Sequence, residues 1–184
     1  FPLPTFVRFC HNHGLLAIAD RPQWRTVRGG SRSYVRKIVA ALPDVRTSTP
    51  VTRVQRLRHG VEIDTAARRA ERFDAVVFAC HSAQAHSLLA DPSPAEARLL
   101  PSVRYQPNRV VLHTDASLLP SRRKAWAAWN FEAGLRDGQH SVCLHYLLNR
   151  LQPLPWARPV IVSLNPLREP RPDTVIQQFD YDHP

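Results

Sequence analysis

The pattern of hydrophobic and polar positions predicts one well-defined helix in the first third of the chain. Apolar residues spaced three and four apart share one face of a helix from Ser31 to Leu42, and we expect that face to be buried. Its members are Tyr34, Val35, Ile38, Val39 and Leu42. Ser31 can cap the first turn by accepting a backbone hydrogen bond, and Pro43 ends the helix.

Short strand patterns follow this helix and predict a β-meander. Residues 51–57, 61–65 and 70–73 mix or alternate apolar and polar side chains, and turns separate them. Residues 75–79 are continuously apolar, which favours a strand that is covered on both faces. Two short helices are predicted next, over residues 82–89 and 95–100.

The second half of the chain has a different pattern, with strands and little helix. We expect strands over residues 108–114, 125–131, 141–149, 160–164 and 174–181, separated by turns that contain Pro or Gly. Consecutive short strands of this kind favour an antiparallel sheet. The fold class is therefore predicted as α+β, with one domain over residues 1–101 and another over residues 102–184.

The formal net charge of +10 comes almost entirely from arginine, since Lys37 and Lys124 are the only lysines. A clustered basic surface would favour nucleic acid or another acidic partner. Here the arginines are scattered through strands and turns, and few aromatic residues alternate with them. A solvated arginine-rich surface is the preferred interpretation, and a non-catalytic basic binding module is the alternative.

The cysteine spacing and the hydropathy pattern bear on metal binding, cellular compartment and membrane insertion. Cys10, Cys80 and Cys143 lie far apart and show no zinc-binding spacing, so no metal ligand is predicted. Cys80 follows an apolar run and is expected to be a small buried residue. Reduced thiols, together with the lack of an apolar run long enough for a bilayer, favour a cytoplasmic protein without a membrane span.

The chain contains no methionine and six glycines, which together favour an internal fragment. A natural chain starts with Met, and these glycines form no GxGxxG fingerprint. We therefore expect N- and C-terminal parts of the same protein beyond this sequence. Self-association can also cover the apolar surface that such parts would otherwise contact.

The order of motifs from Trp24 to His81 resembles the flavin-containing amine oxidase and phytoene desaturase superfamily. A Gly29-Gly30 pair precedes a helix, a strand begins at Val51, and an apolar run ends at Cys80-His81. Within that superfamily the chain is most similar to a bacterial group described as predicted NAD/FAD-binding proteins. The phrases that carry this likeness are Phe9-Cys-His-Asn-His-Gly14, Arg21-Pro-Gln-Trp-Arg25, Tyr105-Gln-Pro-Asn-Arg109, Trp126-Ala-Ala-Trp-Asn130 and Asn165-Pro-Leu-Arg-Glu-Pro170.

The resemblance implies an FAD-dependent oxidoreductase that acts on a small molecule. It implies that the backbone of Val51 contacts the adenine of FAD, and that Cys80 and His81 lie near the dinucleotide. It assigns no catalytic residue. Because the pyrophosphate-binding fingerprint is absent from this sequence, we expect this piece alone to be inactive and to lose FAD on purification.

Aromatic residues in the second half offer a candidate pocket. Trp126, Trp129, Asn130 and Tyr146 can line a cavity that excludes water from an oxidisable substrate. Packing of strand aromatics within the core is the simpler interpretation of the same residues.

Overall fold

The computed structural model describes residues 3–136 and 138–183, and it contains helices and strands in separate layers. The helices are α1 (Leu3–Asn12), α2 (Ser31–Ala41), α3 (Ser82–Leu88) and α4 (Pro94–Leu99). The strands are β1 (Val51–Arg56), β2 (Val61–Thr65), β3 (Glu71–Phe73), β4 (Gln106–His113), β5 (Trp129–Arg136), β6 (Gln139–Leu147), β7 (Ile161–Leu164) and β8 (Val175–His183).

These strands form two antiparallel sheets. The first is the meander β1-β2-β3, and the second has the order β5-β6-β7-β4-β8. The α+β class, the meander and the five-stranded antiparallel sheet are therefore confirmed. The two sheets fall on either side of residue 101, but the assignment of residues 1–101 and 102–184 to separate domains stays a prediction.

The prediction for α2 is correct in position and wrong in its capping and burial. Gly30, with φ of 73°, precedes the first turn and has no side-chain cap, while the hydroxyl of Ser33 donates to the carbonyl of Arg28 at 3.2 Å. The predicted buried face is exposed, with Ile38 at 55%. This face is exposed to solvent because none of the described elements packs closely against it.

The predicted strand over residues 75–79 does not form. These residues have no regular secondary structure and pair with none of the described strands, and Val77 is 90% exposed. A strand covered on both faces requires neighbouring strands, and the described part of the chain supplies none here. The same cause corrects the prediction for Cys80, which is exposed rather than buried.

The five-stranded sheet has two unlike faces. The covered face carries Val111, His113, Asn130, Glu132, Cys143, His145, Leu147, Ile161 and Ser163. Residues 114–126 and 165–174 fold over it, and Leu119, Leu147 and Ile161 form its apolar core against Trp126. The open face carries Trp129, Phe131, Leu135, Val142 and Ile176, each more than half exposed.

Asp115 fastens both covering segments to the sheet. Its carboxylate accepts the N–H of Ser117 at 3.0 Å and the N–H of Arg171 at 3.0 Å. Burial works to raise the pKa of this carboxyl, but the backbone hydrogen bonds and the Arg171 guanidinium outweigh it and lower the pKa to about 2. The carboxylate is therefore ionised at neutral pH and holds the two loops together.

Candidate functional site

A chain of polar side chains crosses the covered face of the five-stranded sheet. The hydroxyl of Ser163 lies 2.7 Å from Nε2 of His113 and 2.6 Å from Nδ1 of His145. All three residues are at most 1% exposed. Each comes from a different strand, β4, β7 or β6, and the register of the sheet places them side by side.

The backbone sets the direction of these hydrogen bonds. The N–H of Asp115 donates to Nδ1 of His113 at 3.1 Å, so the ring proton of neutral His113 lies on Nε2 and is donated to Ser163. Burial, reinforced by the nearby His145, lowers the pKa of His113 to about 4 although the Asp115 carboxylate works in the opposite direction. His113 is therefore neutral at pH 7.

Glu132 ends the chain of hydrogen bonds on β5. Its Oε2 lies 3.1 Å from Nε2 of His145, and its Oε1 accepts a hydrogen bond from Nε of Arg168 at 3.1 Å. Burial tends to raise the pKa of Glu132, but the hydrogen bonds from His145 and Arg168 hold it below its usual value. The carboxylate is charged, and its two oxygens serve two different neighbours.

A cleft of about 730 Å³ opens next to this carboxylate. Glu132, His145 and Arg168 lie on its polar side, while Leu118 and Trp126 lie on its apolar side. Cavities that hold small molecules have volumes of roughly 300–1,000 Å³ and combine apolar walls with a few polar groups. The cleft therefore has the size and lining of a small-molecule site.

The predicted aromatic pocket is only partly brought together. Trp126 and Asn130 line the cleft, and the indole N–H of Trp126 donates to the carbonyl of Pro120 at 2.7 Å. Trp129 and Tyr146 lie on the open face instead, where their rings meet edge to face at 6.1 Å. Alternation along β5 explains the split, because neighbouring strand residues point to opposite faces.

Val51 begins β1, which is an edge strand of the meander. It pairs with Thr65 on β2, and it is 36% exposed. Beyond β1 lies α3, whose end contacts the strand through the N–H of Ala90 and the carbonyl of Val54 at 2.9 Å. Val51 precedes that contact along the strand, and at Val51 no described strand pairs with the outer edge of β1.

Cys80 and His81 lie just before α3. The ring of His81 stacks on Tyr105 at 4.2 Å, and the Tyr105 hydroxyl accepts the N–H of Ser82 at 2.9 Å. A second cleft, of about 520 Å³, lies between the meander and α3, but Val51, Cys80 and His81 are not among its lining residues. The three predicted flavin neighbours thus flank the contact between β1 and α3 without sharing a cavity.

The outer edge of β1 at Val51 has the chemistry to meet the adenine end of FAD, a contact that stays a prediction. An edge that no described strand uses can offer an N–H and a carbonyl to a planar ring with donors and acceptors along its rim. The stacked ring of His81 fits less well because Tyr105 already occupies one of its faces. The residues present match one end of the cofactor better than the whole.

The polar chain itself was not among the residues singled out from sequence. Cys143, His145 and Leu147 alternate along β6, and His113 and Ser163 lie at inward positions of β4 and β7. In sequence, such a network is indicated by polar residues at strand positions that point inward. The residue spacing does not show which of these residues meet, because Glu132, His145 and Ser163 come together only through strand pairing.

Eight arginines among the described residues, in strands and in loops, form ion pairs. The pairs involve Arg46, Arg53, Arg56, Arg68, Arg72, Arg109, Arg168 and Arg171 with nearby carboxylates. This dispersed pairing agrees with the interpretation of a solvated arginine-rich surface. Within the described residues, no helix has both the length and the apolar character needed to cross a bilayer.

Comparison with known proteins agrees with the resemblance carried by the sequence motifs. No curated protein sequence matches the chain significantly. The family model described as flavin containing amine oxidoreductase matches residues 3–147, which include the meander, α3, most of the cleft lining and most of the polar chain. The chain therefore belongs to the flavin-containing amine oxidoreductase family.

Proposed function

We propose that this chain forms the adenine-side support of FAD and part of the substrate domain in a flavin-dependent amine oxidoreductase. When bound, FAD would supply the hydride acceptor for oxidation of a C–N or C–C bond. The residues of this chain would bind and orient. The single observation that carries the proposal is the outer edge of β1 at Val51, within a chain of this family.

The backbone of Val51 would hold the adenine ring. Its N–H and carbonyl can meet a ring edge without any particular side chain, so the contact depends on strand position rather than on residue type. Cys80 and His81 would lie beside the dinucleotide at the start of α3. Both residues lie within the span that the family model matches, which supports this role.

The cleft beside Glu132 would hold the small-molecule substrate. An ionised carboxylate is an acceptor only, so it can pair with an ammonium group or accept a substrate N–H. Arg168 keeps the carboxylate in one orientation, and the indole of Trp126 provides an apolar wall. Together these groups suit an amine that carries an apolar substituent.

Two substitutions at one position test the adenine contact. We expect the purified chain to be colourless and to quench the fluorescence of added FAD weakly. Val51→Pro removes the backbone N–H at the first residue of an edge strand, where proline is tolerated, and should weaken FAD binding about tenfold. Val51→Ala keeps the N–H and should leave the affinity unchanged.

The outcomes separate the proposal from its alternative. Equal FAD affinity in Val51→Pro and the parent chain, or no FAD binding at all, would contradict the adenine contact. A flavin absorbance band at near-stoichiometric occupancy would overturn the expectation of a colourless sample. Binding that weakens steeply with salt would favour a basic module for acidic partners, because counterion release dominates such binding.

A further inference from the structure

We propose that Glu132, Cys143 and His145 form a binding site for a tetrahedral divalent metal ion, with zinc as the best match. Their ligand atoms all lie within 4.8 Å of one another. A thiolate, an imidazole and a carboxylate are the donor types that zinc accepts in proteins. The site is separate from the residues at β1 and α3, but it shares Glu132 with the cleft, so a bound ion would take the carboxylate oxygen that a substrate ammonium would otherwise meet.

Two paired strands supply all three ligands. Glu132 on β5 lies directly opposite Cys143 on β6, and His145 follows two residues later on the same face. The neighbouring cross-strand pair places Asn130 opposite His145, where its amide nitrogen donates to the His145 carbonyl at 3.3 Å. Ligands on adjacent strands are held more precisely than ligands on loops.

Two of the three separations between ligand atoms are close to those around a tetrahedral zinc ion. Bonds of about 2.3 Å to sulfur and about 2.0–2.1 Å to nitrogen or oxygen would place the ligand atoms about 3.6 Å (S to N) and about 3.3 Å (N to O) apart. Nε2 of His145 lies 3.5 Å from Sγ of Cys143 and 3.1 Å from Oε2 of Glu132. Sγ also lies 3.8 Å from Nδ1 of His145, so the sulfur sits beside the imidazole ring, and the Cys143 side chain would rotate to meet an ion on Nε2.

Outer contacts would orient each ligand. Nδ1 of His145 lies 2.6 Å from the Ser163 hydroxyl, which can accept a hydrogen bond from Nδ1–H in the tautomer that leaves Nε2 free for the metal. Arg168 binds Oε1 of Glu132 and leaves Oε2 for the site. A hydroxyl has two acceptor lone pairs, so Ser163 can accept from both His113 and His145.

The surroundings favour an ion with one exchangeable position. Cys143 and His145 are each 1% exposed, whereas Glu132 and His145 line the cleft. The thiolate and the carboxylate balance the charge of a divalent cation. Three protein ligands with the fourth position open to water from a cleft are typical of exchangeable zinc sites.

Cobalt(II) is the probe for this site, because its spectrum reports both thiolate ligation and tetrahedral geometry. We expect the reduced, metal-stripped chain to bind one cobalt ion and to develop a thiolate-to-cobalt charge-transfer band with intense visible bands. Added zinc should remove these bands by displacement.

Three cysteine variants localise the ligand. Cys143→Ser should abolish the charge-transfer band, whereas Cys80→Ser and the buried-site control Cys10→Ser should retain it. Ser163→Ala should weaken zinc affinity about 10–100-fold while the band is kept, as expected for a residue that orients a ligand. Circular dichroism of each variant checks that the sheet is intact.

X-ray absorption of the zinc-loaded parent chain provides a reading that requires no variant. One sulfur and two or three nitrogen or oxygen neighbours would support the site. A shell without sulfur, the absence of a cobalt charge-transfer band, or a band that survives Cys143→Ser would overturn the proposal.

Discussion

The two faces of the five-stranded sheet show how one set of strands can serve two purposes. The covered face buries a neutral histidine, a serine and a second histidine under loops that Asp115 fastens. The open face presents Trp129, Phe131 and other large apolar side chains to solvent. Polar groups are thus buried beside the apolar core on one face, while large apolar groups are exposed on the other, which departs from the usual partition.

This distribution of polar and apolar side chains indicates which face suits chemistry and which face suits association. A buried polar network requires a partner for every donor and acceptor, and each buried side-chain polar atom among the described residues has one. An exposed apolar face needs only an apolar surface to cover it. The covered face is therefore suited to chemistry and the open face to association.

The largest expected contrast is in stability, with one isoleucine on each face. Ile161→Ala removes a fully buried side chain from the core with Leu119 and Leu147, and should cost about 2–5 kcal/mol in the free energy of unfolding. Ile176→Ala on the open face, where the side chain is 56% exposed, should cost less than about 1 kcal/mol. Urea unfolding measures both, and equal losses would show that the two faces do not differ in packing.

The next effect is a pH dependence that arises from His113. The folded protein keeps His113 neutral down to a pKa of about 4, whereas the unfolded chain takes up a proton near pH 6.5. Stability is therefore complete above pH 6.5 and falls by up to about 3 kcal/mol as the pH decreases to 4. His113→Gln should flatten this part of the stability curve, and the same substitution at the exposed His140 should not.

The readout for His113 is the slope with pH rather than the absolute stability, since a buried glutamine also perturbs the network. Urea midpoints at a series of pH values for the parent chain and both variants give that slope. If His113→Gln retained the slope of the parent chain, the loss of stability would have to come from another group.

The smallest effect concerns the open face alone. Phe131→Lys replaces a side chain that is 69% exposed, so it should barely change stability. If the open face mediates self-association, the variant should shift light scattering on a dilution series towards monomer. Ile38→Lys on the exposed face of α2 is the matched control, and dissociation by this variant alone would move the interface to α2. A strictly monomeric parent chain would contradict association by either face.

Local pattern was sufficient to predict most of the elements. Alternation and turn residues predicted the meander and the five strands because period-two patterns reflect strand geometry directly. The predicted burial of residues 75–79 and of the apolar face of α2 was wrong. An apolar pattern indicates that a face favours burial, but it does not specify what packs against that face. Of the four residues offered as a possible pocket or as core packing, Trp126 and Asn130 line the cleft, whereas Trp129 and Tyr146 lie on the other face, which only the strand register reveals.

The polar chain could not be predicted because it depends on pairing between distant strands. His113 and Ser163 are fifty residues apart, and their contact follows from the register of β4 with β7. Glu132 and His145 similarly meet through the pairing of β5 with β6. A candidate site built on cross-strand neighbours becomes visible only when the register is known.

The buried polar chain also selects a single alignment of the strands. Since the large apolar residues of β5, which are Trp129, Phe131 and Leu135, all lie on its open face, hydrophobicity alone would favour a slip of one residue that turned them towards the covering loops. Such a slip would turn Glu132 towards the open face and leave His145 and Arg168 without their shared acceptor. The network therefore favours one register of β5 against β6 during folding, independently of the chemistry that the cleft performs.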